Sequence, residues 1–272
     1  MNPLRQYFRR PALHLKLPSQ GKFYPQNSIE MPENSELPIF PMTAIDEITS
    51  KTPDALYNGT AIVDIIKSCV PNIKDPWRIP AVDIDALLIG IKSASTGNNL
   101  DILSTCTNCN NEETFAINLL ILLQNIKLGN YNEPLQIGDL KIFFKPLDYK
   151  TVNETNLMQF ETQVEINNLE KIQDDKERLN KTGMTMRKVN ENLFAIIAKG
   201  IDRIELPNET VTDYNFILEF ILNTDKATFE EMRNYGVSLR ETSEIKPVKL
   251  KCNSCSNEYL QRVALNVTDF FE

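Results

Sequence analysis

CTNCNNE at residues 106–112 is answered by CNSCSNE at residues 252–258. Both read Cys-x-x-Cys-x-Asn-Glu, and an apolar, strand-like stretch follows each. A gap of two residues lets both sulfurs of a pair point to one side of a tight turn. Each turn then supplies half a tetrahedron, and zinc takes four thiolates at about 2.3 Å. Cys106, Cys109, Cys252 and Cys255 are therefore expected to form one structural zinc site. Such a site is closed, with no position left for a catalytic water. Residues 110–251 separate the two pairs, far more chain than a compact zinc ribbon holds. Two half-sites completed by other subunits, a site that has lost its metal, and a redox pair are the alternatives. A shared metal would close a very long loop, where a clip gains most in principle.

The flanking chain suits that arrangement. Phe115, Ile117 and Leu119 alternate as in a strand, and VKLK before Cys252 does the same. PLQIGDLKIFFKPL at 134–147 reads as a hairpin turning at Gly138-Asp139. Before the first knuckle, Thr43 with Asp46 and Glu47 marks a helix start, and Thr52-Pro53-Asp54 marks a second. Ile62, Ile65, Ile66 and Cys69 share a helical face. Asp83 is expected to cap a helix over 84–95, with Leu87, Leu88 and Ile91 toward the core.

Beyond residue 148 the chain is polar and helical. Leu157, Phe160, Val164, Asn168 and Ile172 form one narrow stripe, and Asn180-Lys181-Thr182-Gly183 reads as the turn of a helical hairpin. Helices over 213–223 and 225–243 follow, with Thr212 and Asp225 near their starts. The fold class expected is α+β, mainly helical, with short antiparallel hairpins around a split four-cysteine, zinc-ribbon-like site. Four segments result: 1–42, a proline-broken extended N-terminal arm; 43–147, helices with the first knuckle and hairpin; 148–245, a helical insertion; and 246–272, the second knuckle packing back on the first.

Composition narrows the functions. A formal charge of −8 and a pI near 5.0 disfavour a broad phosphate-binding surface. The most apolar stretch, 117–126, is far below the roughly 20 residues a membrane helix needs. The N-terminus is basic but has no apolar run behind it, so it reads as no secretory signal. Five cysteines in a reducing compartment point to metal ligands rather than disulfides. Cys69, on its apolar face, reads as a small buried hydrophobe. His14 is the single histidine, and no phosphate-binding loop, HExxH or GxSxG occurs. The chain is not expected to be an enzyme.

LPSQGKFYP at 17–25, PMTAIDEI at 41–48, KTPDALYNGTAIVDIIKSCV at 51–70 and VDIDALLIGIKSASTGNNLDILSTCTNC at 82–109 occur in that order. Together they resemble the T4-like bacteriophage baseplate hub protein family. The resemblance covers about the first half of the chain, and no residue of the helical region after Tyr149 is matched by it. It implies a late virion or assembly protein of the tail baseplate, found in the particle or in the host cytoplasm during assembly. It brings no catalytic residues. Other tail proteins are the implied partners, with neither nucleic acid nor membrane insertion, and a homo-oligomer is compatible with it. The competing reading is a zinc-ribbon-like accessory protein that binds nucleic acid. Few basic residues surround the second knuckle (Lys246, Lys249, Lys251 and Arg262), which weighs against that alternative.

Overall fold

A computed structural model describes residues 3–52, 58–169, 172–263 and 265. The helix start expected at Pro53-Asp54 falls on residues 53–57, outside the described residues. The fold is mainly helical α+β with small antiparallel sheets, as its sequence indicates. The chain forms two compact units, Met1–Leu128 with Thr242–Glu272, and Gly129–Glu241.

In the first unit the proline-broken N-terminal residues join the core. Strand β1 (Leu13–Leu15) pairs antiparallel with β2 (Leu37–Ile39). Leu15, Leu17, Leu37 and Ile39 are all buried. Helix α1 (Ala44–Ser50) opens with a full capping box: the Asp46 amide donates to Thr43 Oγ1, and the Thr43 amide donates to the Asp46 carboxylate. Helix α2 (Thr60–Cys69) buries Ala61, Val63, Ile65, Ile66 and Cys69, while Ile62 is only half-buried. Helix α3 (Ala81–Thr96) is buried along most of its length, so it is apolar nearly all round rather than amphipathic. At Gly90 an added Cβ would lie 3.3 Å from Leu15, which lets the N-terminal segment approach the helix closely.

Two polar fasteners hold this unit. Arg9 donates to the Pro41 carbonyl, to the Ser68 carbonyl and hydroxyl at 2.8 Å each, and lies 3.4 Å from Asp46. Ser68 in turn donates to Asp46 at 3.0 Å. The second fastener corrects the sequence reading of Asp83. Pro80 occupies the N-cap position of α3, and Asp83 lies in the first turn, fully buried. Its carboxylate accepts the Ser19 amide at 2.8 Å and the Ser19 hydroxyl, with the Tyr24 hydroxyl buried beside it. LPSQGKFYP is thus a turn latched to α3. Gly21 takes φ +79° there, where a Cβ would meet Met31 at 2.9 Å.

Strands β3 (Asn99–Thr105) and β4 (Glu112–Asn118) form the first knuckle hairpin. Asn118 ends β4 and caps α4 (Leu119–Asn125), so Leu119 begins a helix instead of continuing the strand.

The second unit is built on a four-stranded antiparallel sheet ordered β5 (Leu135–Ile137), β6 (Leu140–Phe144), β7 (Ile201–Glu205), β8 (Thr210–Val211). The hairpin at Gly138-Asp139 is present, with Gly138 at φ +57°. Helices α5 (Tyr149–Leu169) and α6 (Asp175–Gly200) form the helical hairpin. Helix α6 starts from Asp174, whose carboxylate caps it by accepting the Glu177 amide at 2.8 Å. Asn180-Lys181-Thr182-Gly183 runs on inside α6 rather than turning, because a strong cap outweighs the ~1 kcal/mol that one interior glycine costs. Helices α7 (Tyr214–Asn223) and α8 (Lys226–Ser243) start from Asp213 and Asp225, each of which accepts backbone amides. Ile142, Phe144, Ile197, Ile201, Ile217 and Met232 supply the core.

Gly129 packs against the backbone of α8, where an added Cβ would lie 2.6 Å from the Leu239 carbonyl oxygen. Backbone cannot swing aside as a side chain can. Gly129→Ala should therefore lower stability by about 1–3 kcal/mol in a denaturant titration. An unchanged midpoint would show that the two backbones can part at no cost.

Candidate metal centre

The second knuckle lies between β9 (Val248–Lys251) and β10 (Glu258–Gln261), which pair antiparallel. The two knuckles repeat one backbone. The Cys106 amide donates to Asn111 O at 2.9 Å, and the Cys252 amide donates to Asn257 O at 2.9 Å. Asn110 donates back to Cys106 O, as Ser256 does to Cys252 O. Each turn needs one residue in the left-handed region, Asn110 at φ +56° and Ser256 at φ +58°. The shared Cys-x-x-Cys-x-Asn-Glu pattern therefore encodes one turn, used twice.

The two hairpins pack through Cys106, Leu250, Cys252 and Tyr259, with Ile102, Phe115, Ile117, Val248 and Cys255 against them. Polar contacts fix their mutual register. The Ser104 hydroxyl lies 3.0 Å from the Tyr259 hydroxyl and donates to Gln261 at 2.7 Å. Asn253 donates from its amide and its side chain to the Glu113 carboxylate.

All four sulfurs consequently meet. Their ligand atoms lie within 4.8 Å of one another, with Cys106–Cys255 and Cys109–Cys252 both at 3.7 Å. A disulfide requires about 2.05 Å, so these are free thiols. A tetrahedron of sulfurs 2.3 Å from a central ion has edges of about 3.8 Å, close to the 3.7 Å of these two pairs. Cys106 and Cys252 are buried, Cys255 is half-buried and Cys109 is exposed.

Electrostatics agree with the geometry. The amides of Asn108 and Cys109, pointing at Cys106, hold its thiol down to about 6. The Asn108 side chain, 3.6 Å from Cys255, is the chief cause that lowers that thiol too. At Cys109 the Asn111 amide favours the thiolate, but the neighbouring sulfurs of Cys255, Cys252 and Cys106 push it up to about 12. Four thiolates this close repel one another, and a central cation removes the conflict. The donor set fits one tetrahedral, thiophilic ion.

The other candidates lie elsewhere. His14 is exposed on β1, opposite Pro38. Cys69 is buried with its sulfur 3.7 Å from Arg9, and burial pushes its thiol up to about 11. Asn108, Ser104, Glu113 and Asn257 are the site residues that spacing alone did not single out. Only Asn257 carried a signal, since an Asn recurs at the same offset in both knuckles.

The sequence profile described as T4 bacteriophage base plate protein matches residues 13–272. The chain belongs to that family. The base plate family match runs through both thiol pairs and through the whole α5–α6 hairpin, well past the first half of the chain that carries the motif resemblance. Comparisons with curated proteins and with solved structures find no match. No described helix is long and apolar enough to cross a membrane.

Proposed function

We propose that the chain is a non-catalytic assembly component of a contractile-tail phage baseplate hub, in which one structural zinc holds a scaffold that binds other tail proteins. The observation that carries this reading is the base plate family match over residues 13–272, which includes the four-thiol cluster. A closed thiolate set offers no open coordination position, as befits a structural ion. The cluster fastens residues 99–118 to residues 248–261, so the chain between them leaves and returns at one pinned base. Rigid presentation of partner-facing elements is what such a clamp supplies.

The nucleic-acid reading has less support. Lys249 is paired with Glu258, and the second knuckle is tied to the first through the acidic Glu113. Affinity purification of the tagged chain from infected cells should recover tail proteins in fixed ratio. Recovery of the chain alone, or with nucleic acid in a steeply salt-dependent complex, would overturn the scaffold reading.

A further inference from the structure

The four sulfurs are placed for a second chemistry besides holding an ion. Both 3.7 Å contacts, Cys109–Cys252 and Cys106–Cys255, run from one knuckle to the other. Each joins an accessible thiol to a buried one. Exposed Cys109 faces buried Cys252, and half-buried Cys255 faces buried Cys106. Thiol–disulfide exchange needs these two kinds of thiol. The first attacks an external disulfide and must be reachable, and the second only has to lie beside the first. Side-chain rotation that closes roughly 1.6 Å brings either pair to disulfide length.

The register of the two hairpins is held by contacts that need no ion. Ser104 donates to Gln261 and lies against the Tyr259 hydroxyl, and Asn253 donates to Glu113. Leu250 and Tyr259 pack with Phe115 and Ile117 beneath them. Each buried sulfur thus stays opposite its accessible partner. In an unfolded chain the preference would reverse, because closing a Cys-x-x-Cys loop costs much less chain entropy than closing residues 110–251. Disulfides across the knuckles are therefore a signature of the folded arrangement.

We propose that Cys109–Cys252 and Cys106–Cys255 become two cross-knuckle disulfides when the chain meets a small disulfide oxidant, so that the clamp stays closed after its thiolates release a metal. The Cys109 thiolate attacks one sulfur of the oxidant, whose S–S bond breaks and expels one thiolate. The Cys252 thiolate then attacks the Cys109 sulfur of the mixed disulfide, forms Cys109–Cys252 and expels the second thiolate. Two electrons pass from the pair to the oxidant, and the two protons of the thiols go with them. Cys255 and Cys106 repeat the sequence with a second oxidant molecule. The proposal rests on the sulfur positions and is independent of the hub reading.

Oxidised glutathione added to the full chain as purified tests it. The product is alkylated without reduction and digested with trypsin, which leaves 93–127 and 252–262 as the peptides carrying the two Cys-x-x-Cys pairs. Mass spectrometry should find them joined, with Cys109 bonded to Cys252 and Cys106 to Cys255. On a non-reducing denaturing gel the chain should run as a monomer ahead of its reduced form, since a long loop has been closed. Samples quenched early should carry glutathione on Cys109 or Cys255. Peptides recovered apart, whether closed within their own pair or still alkylated, overturn the proposal, as does a disulfide-linked dimer on the gel. Early glutathione on Cys106 or Cys252 overturns the assignment of attacking and resolving thiols.

Discussion

If the proposed zinc is held by the four thiols, Cys252→Ser should take metal content from about one ion per chain to none, and it should unfold the paired knuckles. The size of the effect follows from the geometry. Cys252 is buried, and its sulfur lies 3.7 Å from Cys109 across the site. Removing it leaves three sulfurs, two of which belong to the first knuckle, and no complete tetrahedron. Structural zinc contributes an apparent 10–16 kcal/mol in small zinc modules, with folding and binding inseparable. Here the hairpins also share a small apolar cluster, so part of the contact will persist without metal. A melting transition lowered by many degrees is expected, with the wild type following it when a strong chelator is added. Elemental analysis and thermal melts measured on one preparation check both parts. Cys69→Ser serves as the control, because that thiol lies outside the cluster and should leave zinc content unchanged. Full zinc retention in Cys252→Ser would remove the shared site altogether.

The four-thiol cluster was legible because residue type and spacing both survive in a linear sequence. Cys-x-x-Cys-x-Asn-Glu written twice gives the thiols, the turn and the hairpin around each turn. The helix starts at Thr43, Asp213 and Asp225 were legible, to within a residue, for the same local reason. Long-range partners were not. Nothing near Arg9 announces that its guanidinium will end on Ser68 and Asp46, 59 and 37 residues away. Asp83 shows why a local rule can mislead. A carboxylate in the first turn of a helix looks the same in sequence whether it caps that helix or reaches out to another segment. Pro80, which sits at the cap position, was the available signal. Asn180-Lys181-Thr182-Gly183 misled in the opposite sense: its composition suits a turn, yet the stronger cap at Asp174 set the helix boundary. The Leu157–Val164 stripe was visible as a pattern, but only the structure shows that Phe160 and Val164 are exposed while Leu157 is half-buried.

Asp83→Ala should be the most damaging single change outside the metal centre. Asp83 and Ser19 are both fully buried, so truncation strands the Ser19 amide and hydroxyl away from water. Each orphaned donor costs about 1–3 kcal/mol, and the space left by the carboxylate adds to that. A loss of about 3–5 kcal/mol in chemical denaturation is expected. It would come with release of the LPSQGKFYP turn, read as protease cleavage near Lys22. Asp83→Asn keeps the shape and one acceptor, so it should cost much less. The pair also has a pH signature. Burial, only partly offset by the Ser19 hydroxyl and amide and the Tyr24 hydroxyl, pushes the Asp83 carboxyl up to about 6 from its ordinary 3.8. The folded chain therefore binds this proton more tightly than the unfolded chain does. The contribution is fully present below the unfolded value and is lost as pH rises through about 6. Wild-type stability should gain relative to Asp83→Asn as pH is lowered from 7.5 to 5.5, since the asparagine cannot titrate. Parallel pH profiles for the two proteins would show that Asp83 holds the turn without carrying a strained charge. Loss of stability in Asp83→Ala no greater than in Asp83→Asn would show that Ser19 finds another acceptor and that the latch lies elsewhere.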